Sequence, residues 1–222
     1  TKKYIMIINS GNYTIDCFHD AVVVKSSNTS KKSRRDCHLL QALKSTTISG
    51  HAMEFGVWQG KTISRIGTHF SQQKVWGFDS FVGLPEPWFT KSTQEGPSHP
   101  AGKFSLEGEE LVSLPNVELV AGWFNDTIPT WLEQNSGNIC FLHIDSDLYS
   151  SALTVLTLLN DRIVPGTVIV FDEMYPWADY EKYDLWEQGE FKALGEWVAN
   201  HNREFVPLFR SQHQQCSLQV TK

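Results

Sequence analysis

The sequence predicts an α/β fold, a mostly parallel sheet covered by helices on both faces, and three observations carry that expectation. Short, nearly continuous apolar runs recur from residue 51 onward: "AMEFGV", "KVWGFD", "NVELVAG", "ICFLHID" and "TVIVFD". Segments with helical spacing separate them. The runs close on Gly56, Asp79, Gly122, Asp145 and the pair Asp172-Glu173, at the strand ends where open parallel sheets bind ligands.

The elements follow in order. Residues 1–50 read as a poorly defined N-terminal extension or cap, in which "YIMIIN" and "AVVVK" are short candidate strands and "RRDCHLLQAL" has helical spacing. Residues 51–222 form one domain. After the first regular strand, "KTISRIGTHF" places Ile63, Ile66 and Phe70 on one side of a helix. Ser80 to Phe104, rich in Pro, Gly and aromatics, is a long loop expected to act as a lid or substrate wall. "DLYSSALTVLTLLND" puts Leu148, Ala152, Val155, Leu156 and Leu159 on one helix face, with Ser146 or Asp147 as N-cap. Val164 to Gly166 reads as a turn before the next strand. A helix over "GEFKALGEWVANH" precedes "EFVPLF" and "QQCSLQV", expected as an antiparallel pair at the end of the sheet.

Composition narrows the function classes. With 222 residues, 41% apolar and 20% charged, the chain suits one globular domain. A net charge of −6 argues against a nucleic-acid partner, and "KKSRR" reads as a solvated helix start. Cys17, Cys37, Cys140 and Cys216 contain no C-x-x-C pair, which fits a reducing compartment rather than a disulfide or zinc framework. No apolar run reaches the roughly 18 residues of a membrane span. The opening run is too short for a signal peptide, so a cytoplasmic enzyme is expected. The chain lacks an initiator Met, which fits a processed start or a domain of a longer protein.

The stretch "HAMEFGVWQGKT" breaks a strand at Gly56 and restarts as a helix. A dinucleotide would need G-x-G-x-x-G, but Trp58 stands where the backbone must approach pyrophosphate. A P-loop needs one more residue between Gly56 and Gly60. A ligand with an adenosine and no phosphate remains, its ribose held by Asp79 at the next strand end. Asp145 and Asp172-Glu173 would bring three carboxylates together. Such a cluster repels itself unless a hard cation such as Mg²⁺, Ca²⁺ or Mn²⁺ joins it.

Five segments in order, "EFGVWQGKT", "VWGFDSFVGLPEPW", "VELVAGWFNDTIP", "FLHIDSDLYSSAL" and "VPGTVIVFDEM", closely resemble the macrocin O-methyltransferase family. Its members are class I S-adenosylmethionine-dependent enzymes that methylate hydroxyls, including sugar hydroxyls, on natural products. The resemblance covers Met53 to Trp177 well and the helical tail more loosely. It implies a class I methyltransferase (Rossmann-like) fold with seven strands in the order 3-2-1-4-5-7-6 and an antiparallel last strand. It implies that Glu54 and Gly56 shape the methionine pocket, that Asp79 binds the ribose, that Gly60 and Ser80 also contact the cofactor, and that Gly122 and Trp123, with Phe124, lie beside the adenine. Asp145 would touch both cofactor and metal. Asp145, Asp172 and Glu173 would hold Mg²⁺, with Asp147 a rival first ligand. Asp145 would also be the general base, with His143 and His99 as alternatives.

The expected partner is a small hydroxylated molecule, a sugar or glycosylated natural product ahead of a catechol, with no nucleic acid and no membrane. Tyr175, Trp177, Tyr180 and Trp186 could wall the substrate or cover a homo-oligomer contact. The rival readings are a metal-independent methyltransferase, a nucleotide-linked oxidoreductase and a binding module without chemistry.

Overall fold

Val, Ile and Phe dominate the apolar runs because β-branched and aromatic side chains pack well on a pleated surface buried on both faces. In a computed structural model, which describes residues 22–24, 31–93, 95–111, 114–174, 183–211 and 214–222, they form the strands of one sheet. The strands are β1 (Val22–Val24), β2 (His51–Phe55), β3 (Val75–Asp79), β4 (Val117–Ala121), β5 (Ile139–Ile144), β6 (Ile163–Phe171), β7 (Phe205–Ser211) and β8 (Cys216–Val220). "YIMIIN", Cys17, Tyr175, Trp177 and Tyr180 lie outside the described residues.

The order across the sheet is β1-β7-β8-β6-β5-β2-β3-β4. Counted from β2, this is the expected seven-strand order, and β8 runs antiparallel to both β6 and β7. An eighth strand is added: β1 pairs in parallel with β7, Val22 opposite Phe209. The expected turn at Val164 to Gly166 is instead a bulge inside β6, where Ile139 pairs with Ile163 but Phe141 with Val168. A bulge is one of the few sheet positions that tolerate Pro165.

Helices α1 (Lys31–Lys44) and α2 (Lys61–His69) cover one face, and α3 (Phe124–Gln134), α4 (Tyr149–Leu158) and α5 (Glu190–His201) cover the other. Leu39, Ala42 and Leu43 of α1 and Ile63 and Ile66 of α2 join Ala52, Val75, Phe141, Val168 and Val170 in one apolar layer. Met53, Phe55, Ile144, Ile169 and Phe171 meet Ala152, Val155, Leu156, Leu194 and Trp197 in the other. Alternation along the strands sends neighbouring residues into opposite layers. Full burial of each large side chain contributes about 1.5–3 kcal/mol relative to exposure. Helix α1 therefore stands in the same layer as α2, although it belongs to the segment read as an extension.

Two local devices set up the site. Gly56 ends β2 with φ 93°, and Gly60 takes φ 79° as N-cap of α2, conformations that favour glycine. No helix among the described residues is long and apolar enough to cross a membrane.

Candidate active site

The carboxyl ends of β2, β3, β5 and β6 open into a cavity of about 1120 Å³. Its floor is made by Gly56, Val57, Asp79, Asp145, Asp172 and Glu173. Asp36, His38 and Leu39 of α1, Trp123 and Phe124, the loop residues Trp88, His99 and Phe104, and the hairpin residues Gln214 and Gln215 form its walls.

Asp79 organises the floor. Its Oδ2 accepts backbone N–H bonds from Val57 and Trp58, both at 2.8 Å, and its Oδ1 accepts one from Phe81 at 2.7 Å. The acid expected at the ribose thus also clamps the Gly56–Gly60 turn. Ser80 does a similar job nearby: its hydroxyl donates to the Gly83 carbonyl at 2.8 Å and accepts from Val82 N–H at 3.2 Å. Gly122 N–H donates to the Asp79 carbonyl at 2.9 Å, while Trp123 lines the cavity and is 37% exposed. Phe124 stands edge-on to Phe55 at 5.2 Å, which anchors the start of α3 against the end of β2.

Glu54 sits apart from the cavity floor. It is fully buried, and its Oε1 lies 2.8 Å from His143 Nδ1 across the β2–β5 pair. His143 Nε2 in turn lies 3.9 Å from Asp172 Oδ1. Burial lowers the His143 pKa, but the Glu54 hydrogen bond and the charges of Glu54, Asp145 and Asp172 outweigh it, and the net direction is up. His143 is thus a buried, paired side chain at the cavity wall.

Four carboxylates and this histidine gather at the ends of β5 and β6. Ligand atoms of Asp145, Asp147 and Glu173 lie within 4.8 Å of one another, and so do those of His143, Asp145 and Asp172. Asp147 is not the helix cap expected for it. Leu148 caps α4 without a side-chain bond, and Leu148 N–H donates to the Ser146 carbonyl at 2.6 Å. Asp147 occupies that tight turn with φ 61°, a conformation Asp tolerates better than most residues. Its carboxylate joins the cluster in this way.

Burial, reinforced by the charges of Asp172, Asp145, Asp147 and Glu190, pushes the Glu173 carboxyl well above the usual carboxylate range. Glu173 Oε2 is buried with no hydrogen-bond partner. An oxygen-rich donor set holding one buried, unpartnered oxygen fits a hard divalent cation, which would supply the missing partner.

Asp172 is braced from behind, its Oδ2 accepting from Gln215 Nε2 at 3.2 Å. Glu190, at the start of α5, is fully buried behind the same strand ends and accepts N–H bonds from Ser146 at 3.3 Å and Glu173 at 3.0 Å. Burial raises its pKa well above the usual range against those two N–H bonds, helped by the charges of Asp145 and Asp172. His38 Nε2 lies 3.3 Å from the Phe209 carbonyl, and burial lowers its pKa to about 4. Neither Glu190 nor His38 is marked in the sequence. A first-turn Glu resembles any acid at a helix start, and one His among apolar neighbours resembles a core residue.

The long loop is folded down. Trp88 and His99 exchange both backbone bonds, at 2.8 and 3.1 Å, and their rings stack at 5.2 Å. Phe104 links the His99 ring, at 5.4 Å, to Trp58, at 5.7 Å. Ser92 bonds Asp184 through its N–H and its hydroxyl, at 2.8 and 2.7 Å. His99 thus lines the cavity as part of the loop's own packing, and partial burial with nearby Lys103 lowers its pKa. Trp186, grouped with the aromatic wall, is buried against Phe191 at 5.0 Å.

Residues 32–188 match the family model described as Macrocin-O-methyltransferase (TylF). The chain is 27% identical over 143 residues to the 8-demethyl-8-(2,3-dimethoxy-alpha-L-rhamnosyl)-tetracenomycin-C 4'-O-methyltransferase of Streptomyces olivaceus, covering 57% of this chain and 53% of that protein. It is 26% identical over 159 residues to the mycinamicin III 3''-O-methyltransferase of Micromonospora griseorubida, covering 61% and 59%. The chain therefore spans little more than half the length of these relatives. Among solved structures, the calicheamicin methyltransferase CalS11 superposes with a TM-score of 0.64 at 21% identity, covering 86% of this chain and 80% of that one. The O-methyltransferase NovP gives 0.58 at 21% identity, covering 85% and 80%. At those identities the structures show a shared fold.

Proposed function

Because the chain belongs to the macrocin O-methyltransferase family, we propose that it methylates a hydroxyl of a small sugar-bearing molecule, using S-adenosylmethionine and a divalent cation, Mg²⁺ first. One observation carries the reading: the carboxylates of Asp145, Asp147, Asp172 and Glu173 converge at the ends of adjacent parallel strands, beside the Gly56–Gly60 turn and inside one cavity. The named relatives that methylate sugar hydroxyls support the acceptor class.

S-adenosylmethionine would supply a methyl group on a positively charged sulfur, and the cation would lower the pKa of the acceptor hydroxyl. The chain supplies the rest. The Gly56 turn lets backbone approach the methionine part without a side chain in the way. Trp123 and Phe124 offer apolar faces to the adenine, and the one lone pair left on Asp79, at Oδ1, is available to a ribose hydroxyl. Asp145, Asp172 and Glu173, with Asp147 as the added fourth, would hold the cation, Asp145 being the residue common to both groups of ligand atoms. Asp145 accepts the hydroxyl proton at its carboxylate. The folded loop through Trp88, His99 and Phe104 excludes water and orients the acceptor for in-line transfer.

Calorimetric titration with S-adenosylhomocysteine, with Mg²⁺ and again with EDTA, tests the cofactor pocket, and NAD⁺ serves as the control ligand. Methyl transfer to a panel of glycosylated acceptors tests the activity. Binding of S-adenosylhomocysteine without NAD⁺, and turnover lost in EDTA, is the expected result. Full turnover after exhaustive EDTA treatment would remove the cation from the reading, and NAD⁺ binding alone would remove the methyltransferase.

A further inference from the structure

Among five acids at the ends of β5 and β6, Glu190 makes contacts of a different kind. It comes from the other side, on the first turn of α5, and touches backbone rather than the cavity. Its two oxygens accept N–H bonds from two different loops, Ser146 after β5 and Glu173 after β6. These N–H groups belong to the peptide units that follow Asp145 and Asp172. Up to that point the strands hold each other, the last rung running from Asp172 N–H to the Ile144 carbonyl at 3.0 Å. Beyond it the chains diverge, and two buried N–H groups would lose their partners.

We infer that Glu190 is a positioning residue for the cation site: one buried carboxylate that replaces the missing strand neighbour and fixes the two peptide units from which the ligands project. The inference rests on the cation-dependent reading above. A simpler role, an acid favoured by the helix dipole, would be met at the surface and would not require full burial beside four other carboxylates. The start of α5 is closely packed. A Cβ on Gly189 would meet the Tyr183 hydroxyl at 2.4 Å, and Phe191 packs against Trp186. Glu190 thus reaches from a closely packed helix start to both strand ends.

Two variants separate geometry from charge. Glu190→Gln keeps the length, but its amide NH₂ would face a backbone N–H, so one of the two bonds is lost. Glu190→Asp keeps the charge but is one methylene too short to span both loops. The readouts are Mn²⁺ affinity of the folded protein by calorimetry, S-adenosylhomocysteine affinity, and amide hydrogen exchange at Ser146 and Glu173.

A clamp predicts that both variants lose Mn²⁺ affinity by roughly 10–100-fold, exchange those two amides faster, and keep S-adenosylhomocysteine affinity. Loss in Gln with Asp unchanged would mean a charge effect and overturn the inference, as would wild-type affinity in both. If neither variant folds, exchange in the wild type decides: protection of both amides equal to that inside β5 supports the clamp, and rapid exchange overturns it. Failure of the wild type itself to bind Mn²⁺ would sink the cation reading and the inference together.

Discussion

Gly56 and Asp145 pack backbone to backbone: a Cβ on Gly56 would stand 1.8 Å from the Asp145 carbonyl oxygen. The Asp145 N–H also bonds the Phe55 carbonyl at 2.9 Å. The turn of the proposed cofactor pocket and the first proposed metal ligand are therefore one unit. Gly56→Ala is expected to fail on both counts. Strain at φ 93° costs about 1–2 kcal/mol, and relieving the clash must move Asp145. A fall in Tm of several degrees should accompany weaker binding of both S-adenosylhomocysteine and Mn²⁺, measured by thermal melts and calorimetry; unchanged binding would mean that the two parts are not coupled.

Asp172 tests the cation. Asp172→Asn keeps the shape and the Gln215 contact region but removes the charge, so Mn²⁺ affinity should drop by more than the roughly 10–100-fold that outer positions cost. S-adenosylhomocysteine should still bind. Retained Mn²⁺ affinity would place the ion elsewhere in the cluster.

The base is the next question. Asp145→Asn should reduce kcat by about 10²–10⁴-fold, the usual contribution of a general base. His99→Gln should cost less than about 10-fold, because His99 is held in the loop by its backbone pairing and its ring stacks on Trp88. A shifted pH–rate profile in His99→Gln, with Asp145→Asn little affected, would reverse the assignment.

His38 is expected to make the fold acid-sensitive. Its pKa falls from 6.5 to about 4 on burial, with Asp172 and His143 the charged neighbours. Above pH 6.5 both folded and unfolded states leave it neutral. As pH falls from 6.5 toward 4 only the unfolded state takes the proton, so stability is lost over that window. By pH 5 the cost reaches roughly 2 kcal/mol. Urea unfolding at pH 7 and pH 5 should show that loss in the wild type and a smaller one in His38→Gln; equal losses would exclude His38 as the source.

Asp184 latches the loop through Ser92. Its carboxyl lies below the ordinary range because Ser92 donates to it twice. Asp184→Ala should raise the acceptor KM several-fold while kcat changes little. A loss confined to kcat would instead assign the latch to the chemistry.

Much of this was legible because parallel strands and their end-acids leave strong marks. Each run from "AMEFGV" to "TVIVFD" is a strand, and Asp145 lies close to Asp172 in one group of ligand atoms and to Glu173 in another. What was hidden depends on tertiary contacts. "AVVVK" reads as a candidate strand and Val22–Val24 is one, but so short a run does not give its place at the sheet edge beside β7. Asp147 looks like a cap by position, and only the Leu148–Ser146 turn moves it into the cluster. Asp79 shows its spacing but not its bonds to Val57, Trp58 and Phe81. Glu190 has no neighbours in sequence that reveal its burial.

The cavity walls come from α1 near residue 36, the loop through residue 104 and the hairpin at residues 214–215. Hardly any of that enclosure is local in sequence. β2 must find β5, and β8 must insert between β6 and β7, before the walls face one another. Such long-range pairing closes large loops and makes folding slow relative to helical proteins of similar size. Ligands that touch all of these walls would bind only the assembled sheet. Their binding free energy therefore adds to the global unfolding free energy, and ligand-dependent protection against proteolysis should extend across the sheet rather than stop at the pocket.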